Sequence, residues 1–462
     1  MIKTFIDNNK DNMIQDVIEL INIPTVFDKN PCQGGPFGQN VKIGLEKVLK
    51  MAEDMGMEAK NIDGYAGEIT IGKGDYVVGI LGHIDVVEGG EDWLTDPFVG
   101  EVKDNKIYGR GSTDDKGPII SCLYAMKYLL DNDKIPDKAS IRMIVGTNEE
   151  EDWKGIEYYV ENTKILPNVS IVPDGYFPLI FCEKGLIDFD MRKPIKVNND
   201  APVKILELKG GTGRNIVAAK ASCKIETTEP LANKIFARLR KQDNIKADLQ
   251  GNIVQVVAEG KATHAMSPEK GINGISIIMK ALGEIEEPFS HEELIDTYNR
   301  YIGMTYNGEN FGCDFSDEVS GRLTMNVGVV RFEGDMAVLE SNLRYPASME
   351  LDTVMAAMNK TMEEAGLEYV EKSYIKPICI DKDSDLVKKL MTSYRKTTGD
   401  MEHEPFAIGG ATYARAIPNA VAFGPLFPDE EELAHEANEF LAIDSLVKMT
   451  EIYGDCLELL MK

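Results

Sequence analysis

Apolar side chains recur near helical spacing over residues 11–23 (Met13, Ile14, Val17, Ile18, Leu20, Ile21), and Pro24 ends the pattern. Residues 41–55 predict a second amphipathic helix. Short apolar runs without alternation follow: Tyr76-Val77-Val78-Gly79-Ile80-Leu81, Ile141-Arg142-Met143-Ile144-Val145 and Val169-Ser170-Ile171-Val172. Such runs, separated by helices such as 118–130, predict parallel strands buried on both faces. Beyond about Gly185 the pattern changes. Alternating stretches such as Asn252-Ile253-Val254-Gln255-Val256-Val257 predict half-buried strands, with helices expected at 229–241, 271–285 and 351–365. From about Asp381 the first texture returns, with a helix at 384–396, a strand at 420–423 and a terminal helix at 443–461. The expected fold class is α/β. A discontinuous domain (1–184 and 380–462) has a mostly parallel sheet flanked by helices, and an α+β domain (185–379) is inserted in it.

Length supports two domains, because 462 residues exceed the size at which single cores stop growing. No apolar run approaches the roughly 18–20 residues of a membrane helix, and the polar start does not predict a signal peptide. The 50 Lys+Arg against 77 Asp+Glu give a formal net charge of −27. That charge disfavours nucleic acid and anionic membranes as partners. The seven cysteines are scattered and form no C-x-x-C pair, which argues against a disulfide framework or thiolate zinc site and predicts a cytoplasmic location. Cys122 and Cys182, in apolar runs, are expected to be packing residues.

Chemistry-bearing residues gather where the buried strands end. Gly82-His83-Ile84-Asp85 ends the first strand, with His83 and Asp85 on one face. There an acid can orient a metal-ligating imidazole. Gly109-Arg110-Gly111-Ser112-Thr113-Asp114-Asp115-Lys116-Gly117 is a glycine-rich loop opening a helix. Its adjacent aspartates exclude phosphate and suit a cation. Asn148-Glu149-Glu150-Glu151 and Pro173-Asp174-Gly175 follow two further strands, at the sheet edge where α/β proteins place ligands. Each piece alone is ordinary. Together they form an imidazole and carboxylate set without thiolates, suited to Zn²⁺, Mn²⁺ or Co²⁺. The carboxylates are too many for one four-coordinate ion, so two ions are expected, and His435 supplies the second imidazole.

The ordered set H-x-D, G-R-G-x-x-D-D-K-G, N-E-E, P-D-G and A-H-x-x-N-E resembles the dinuclear-metal peptidase and deacylase family. That family includes acetylornithine deacetylase, succinyl-diaminopimelate desuccinylase and aminoacylase. The resemblance covers nearly the whole chain. Asp92-Trp93-Leu94-Thr95-Asp96-Pro97-Phe98, the acid Asp174 and Ile408-Gly409-Gly410-Ala411-Thr412-Tyr413 point to its peptidase V-type dipeptidases.

The resemblance implies that His83 and Asp174 hold one ion, His435 and Glu150 the other, and Asp114 bridges them. Zinc is the first choice, with manganese or cobalt as alternatives. Asp85 would orient His83, Glu149 would be the general base toward a water shared by the ions, and Asp115 would be a supporting residue or helix cap. In the insert, Gly260-Lys261-Ala262-Thr263-His264-Ala265 implies an oxyanion-stabilising His264. Asn342-Leu343-Arg344-Tyr345-Pro346 implies a substrate-carboxylate clamp at Arg344, with Asn342 where relatives carry Asp. Asn215, Gly409 and Gly410 are expected to contact substrate. His291 and His403 match no motif and read as surface residues, and residues 304–315 carry no motif. The implied activity is hydrolysis of unblocked dipeptides, with N-acyl amino acid deacylation as the alternative. A third reading is peptide or metal binding without turnover. The insert's length fits a competent monomer, with a homodimer as the alternative.

Overall fold

Residues 2–462 are described in the computed structural model. They fall into two compact units. The first holds the residues up to Phe181, Cys379–Phe406 and Ala411–Lys462, and the second holds Cys182–Ile378 and Ala407–Gly410.

In the first unit the apolar runs form the centre of a nine-stranded sheet. Tyr76–His83 lies between Ala139–Gly146 and Val169–Val172, parallel to both, and Ala420–Ala422 continues the parallel set. Their side chains are nearly all buried, as continuous apolar runs require. Outside this centre Glu58–Ile62 and Ala66–Gly72 pair antiparallel, as a short hairpin connection permits. The helices Ile2–Ile21, Lys116–Asp131 and Ile443–Leu460 pack on one another beside the sheet. The first begins well before residue 11 because Ile2 and Ile6 extend its buried stripe. A small sheet joins Phe440–Ala442 to Lys106–Tyr108 and on to Glu101–Lys103. It brings the end of the chain beside the glycine-rich loop.

The second unit is an eight-stranded antiparallel sheet. Helices Glu229–Leu239, Gly274–Gly283 and Leu351–Ala365 pack on it. The apolar positions of its alternating strands face those helices in one core that includes Ile187, Phe189, Val254, Val256, Ile278 and Met358. The helix Glu292–Tyr301 was not anticipated from the pattern. Its charged first turn, Glu292 and Glu293, hides a stripe of Leu294, Ile295 and Tyr298.

Cys182 is a disulfide cysteine, not a simple packing thiol. Cys122 is a buried thiol. No helix among the described residues is long and apolar enough to cross a membrane.

Candidate active site

The carboxyl ends of the parallel strands carry the site. His83 closes its strand opposite Gly146, Glu149 and Glu150 follow Gly146, and Asp174 follows Val172. The glycine-rich loop supplies Asp114. Gly111 turns it with φ +85°, and a Cβ on Gly117 would stand 2.1 Å from the Ser112 carbonyl oxygen, so only glycine lets the loop fold back on the helix start.

These pieces converge. His83 Nε2 lies 3.0 Å from Asp114 Oδ1 and 3.7 Å from Asp174 Oδ2. His435 Nε2 lies 3.1 Å from Asp114 Oδ2 and 3.0 Å from Glu150 Oε2. The two Asp114 oxygens thus face the two imidazoles. Among the described residues, two groups could hold a cation with ligand atoms within 4.8 Å of one another: His83, Glu149 and Asp174, and His83, Asp114 and Glu150. Distance alone therefore does not separate Glu149 from the other candidate ligands.

The donor chemistry fits divalent cations. His83 is buried, and its Nδ1 lies 3.0 Å from the Asp85 main-chain carbonyl oxygen, which fixes the proton on that nitrogen. Nε2 is left buried, without a hydrogen bond of good geometry, its lone pair facing carboxylate oxygens. Acceptor against acceptor is unfavourable unless a cation or a proton lies between them. Oxygen and imidazole donors without thiolate suit zinc, manganese or cobalt.

The electrostatics describe the same crowding. Burial, followed by the Asp174 charge, pushes Glu149 well above the usual carboxylate range. Burial and Asp114 push Asp174 up to about 7 and raise Glu150. Burial alone would lower His83 and His435. The carboxylates of Asp114 and Asp85 outweigh it for His83, and those of Asp114 and Glu150 lift half-exposed His435 to about 11. Burial would raise Asp114, but the two imidazoles hold it well below the carboxylate range.

Asp85 acts differently from the simplest expectation. Its carboxylate is 3.6 Å from His83 Nδ1, too long for a hydrogen bond, and accepts instead the main-chain N–H groups of Glu149 at 3.1 Å and Glu150 at 3.0 Å. The ring is oriented by the main chain of Asp85, and its side chain holds the turn that bears the two glutamates. Asp115 is not a side-chain cap of its helix; buried, it accepts the His83 main-chain N–H at 3.1 Å.

In the second unit, Asn215 and His264 are neighbours: the Ala265 N–H donates to the Asn215 carbonyl at 2.8 Å, and His264 pairs with Ile216 across a β-bridge. Buried Arg344 donates through Nη1 to the Gly409 carbonyl at 2.5 Å and through Nε to Asn342 Oδ1 at 2.9 Å. A Cβ on Gly409 would lie 3.1 Å from the Met266 Cβ and 3.3 Å from the Arg344 Cδ, and one on Gly410 would lie 2.9 Å from the Ile408 Cδ1. His403 is half exposed, as expected, whereas His291 is buried, with its ring stacked on Phe332. Three further residues had no assigned task in the sequence: Arg110, Glu439 and Tyr413. Tyr413 is buried beside His83 and Trp153. The motifs G-R-G and N-E contain the first two, but neither motif reveals that they pair.

Two curated relatives cover almost the whole chain. "Putative dipeptidase YtjP" of Bacillus subtilis is 34% identical over 454 residues, 97% of each chain. "Putative dipeptidase SAUSA300_1697" of Staphylococcus aureus (strain USA300) is 34% identical over 461 residues, 98% of each chain. The fold is shared with human carnosine dipeptidase 1 (TM-score 0.58, 15% identity, covering 100% of this chain and 99% of that one). It is also shared with aminoacylhistidine dipeptidase from Vibrio alginolyticus (TM-score 0.56, 17% identity, covering 97% and 95%). The model of peptidase family M20/M25/M40 matches residues 79–459, the span that contains every strand-end candidate residue described above, so the chain belongs to that family of hydrolytic peptidases.

Proposed function

We propose that this peptidase cleaves the peptide bond of unblocked dipeptides with two divalent cations, zinc in the first instance. His83 and Asp174 would hold one cation, His435 and Glu150 the other, and Asp114 would lie between them. Cations of this class, when bound, acidify water and polarise a carbonyl group. The observation that carries the reading is the pair of imidazoles facing opposite oxygens of one carboxylate.

Glu149 is the proposed general base. Burial beside Asp174 makes its carboxylate a ready proton acceptor. It takes a proton from the attacking water and delivers it to the leaving amine. Asp85 fixes the main chain on which Glu149 stands. In the second unit, His264 is assigned as donor to the developing oxyanion. Arg344 is assigned to the substrate carboxylate, for which its planar fork is suited. Asn215, Gly409 and Gly410 are assigned to substrate contact. The curated relatives described as dipeptidases support the substrate class.

The test is a comparison of one dipeptide, its N-acetylated form and the corresponding tripeptide on zinc-loaded enzyme. The free dipeptide should have the highest kcat/KM. A preference for the blocked form would make the enzyme a deacylase, and a preference for the tripeptide would displace the carboxylate clamp from Arg344.

A further inference from the structure

We infer that the buried Arg110–Glu439 ion pair is the positioning device of the Asp114–His435 cation position, and that occupancy of this position depends on it more strongly than occupancy of the His83 position, which shares only Asp114 with it. The inference rests on the two-cation reading above.

Glu439 is wholly buried and Arg110 is 2% exposed, with Arg110 Nη1 2.9 Å from Glu439 Oε2. The Glu439 carboxylate accepts the main-chain N–H groups of Gly111 at 3.1 Å, Thr113 at 2.8 Å and Asp114 at 3.3 Å, so it spans the loop that presents Asp114. Arg110 reaches the other way. It donates to the main-chain carbonyl oxygens of His435 and Glu436, each at 3.2 Å. His435 has φ +67°, a left-handed conformation that a non-glycine residue holds only when its surroundings impose it. The Arg110 bond to its carbonyl is one such restraint. The two partners are built on one short ladder, in which Phe440 pairs with Tyr108 and the Gly109 N–H donates to the Glu439 carbonyl at 3.0 Å. One ion pair therefore fixes the separation of Asp114 and His435, whose side chains meet at 3.1 Å.

The His83 position shares Asp114 but has further supports of its own. Its main chain is held by Asp115 and its ring by the Asp85 carbonyl oxygen. Asp174 stands on the loop after a parallel strand. Removing one member of a buried charge pair leaves the other uncompensated, so neutralising Glu439 should disturb the two loops it joins.

The experiment measures zinc bound per chain by full-length protein dialysed against graded free zinc. Wild type, Glu439→Gln, Arg110→Lys and His435→Ala are compared, with thermal unfolding recorded for each. Arg110→Lys keeps the charge but loses the fork that reaches both carbonyl groups. Wild type should fill in two steps. In Glu439→Gln and Arg110→Lys, the step that His435→Ala abolishes should need at least about tenfold more free zinc, the other step shifting less. If wild type binds a single zinc, the two-cation reading fails and this inference with it. If wild type binds two and the variants fill both steps normally, or lose both steps equally together with thermal stability, the positioning role is wrong. Should Glu439→Gln not fold, Arg110→Lys decides between these outcomes.

Discussion

Replacing Asp85 by asparagine separates two roles that a carboxylate beside His83 could play. In the native chain its two oxygens accept the Glu149 and Glu150 N–H groups at 3.1 and 3.0 Å. Asparagine keeps the shape but offers one carbonyl oxygen and one amide nitrogen. One N–H retains a neutral acceptor, and the other meets a donor. Hydrogen bonds to a charged group contribute about 1.5–3 kcal/mol each and neutral ones about 1 kcal/mol, so the turn loses roughly 2–5 kcal/mol of restraint. With 1.36 kcal/mol per factor of ten in rate, and part of the strain relaxed by the turn, kcat should fall about 30- to 1000-fold. The orientation of the His83 ring should be unaffected, because its Nδ1 partner is the main-chain oxygen of residue 85, which the substitution leaves in place. The assay is kcat and KM on a single dipeptide together with zinc per chain. The expected result is a lowered kcat, little change in KM and full zinc content. A kcat within about threefold of wild type would refute the turn-holding role. Loss of zinc with loss of activity would show that the carboxylate acts through the imidazole instead.

Other perturbations follow from the same geometry. Glu149→Gln should lower kcat by about two to four orders of magnitude with zinc retained. It should also raise Tm, because it removes a carboxylate that burial disfavours; near-normal turnover would remove Glu149 from the mechanism. Chelation should uncover a component of stability that falls with pH. Asp174 rises from 3.8 to about 7 on folding and His435 from 6.5 to about 11, so in both cases the folded state binds more protons than the unfolded state. Stability is then lost between about pH 4 and 7 through Asp174 and between about 6.5 and 11 through His435. Buried Lys116, lowered to about 7, acts in the opposite direction above pH 7 with or without zinc, so the check is the difference: between about pH 5 and 9 the Tm of the chelated protein should fall progressively below that of the zinc-loaded protein, and parallel profiles would contradict the charge crowding. Gly146→Ala places a Cβ 2.4 Å from the Tyr413 hydroxyl oxygen and 2.5 Å from its Cε2. The buried ring must move, at about 1–3 kcal/mol of stability and with reduced kcat; an unchanged Tm in differential scanning fluorimetry would show that the packing yields freely.

The parallel strands and their ends were legible because the relevant signal is local. A continuous apolar run followed within four residues by His, Asp or Glu marks both the buried strand and the side chains at its mouth, as in Tyr76–His83 with Asp85. Helix periodicity served equally well for Glu229–Leu239 and Leu351–Ala365. What escaped is carried by partners far apart in sequence. Arg110 and Glu439 are separated by 329 positions. Each sits in a motif that is unremarkable alone, and only the Tyr108–Phe440 ladder joins them. The two tasks of Asp85 could not be divided either, since its carbonyl and carboxylate oxygens are indistinguishable until the turn at Glu149 is placed. His291 misled for the opposite reason: its neighbours Glu292 and Glu293 are charged, but its own ring turns inward onto Phe332.

Asn342 shows how a contact and its charge can be carried by different residues. The asparagine stands two residues before Arg344, where the resemblance expects an aspartate. In the folded chain Asn342 Oδ1 accepts the Arg344 Nε–H at 2.9 Å while its amide nitrogen donates to Asp188 Oδ1 at 2.7 Å. Asp188 is directly opposite Asn342 in the antiparallel register. Its second oxygen accepts from the Ser373 hydroxyl at 3.1 Å. The negative charge therefore lies one strand away and reaches the guanidinium through an amide that is polarised at both ends. Such a relay orients the arginine at Nε through a neutral group, where an aspartate at 342 would set a full negative charge against the same nitrogen. For a residue assigned to capture a carboxylate, the amide is the more effective support, because an anion in direct contact would offset the positive charge on which the clamp depends.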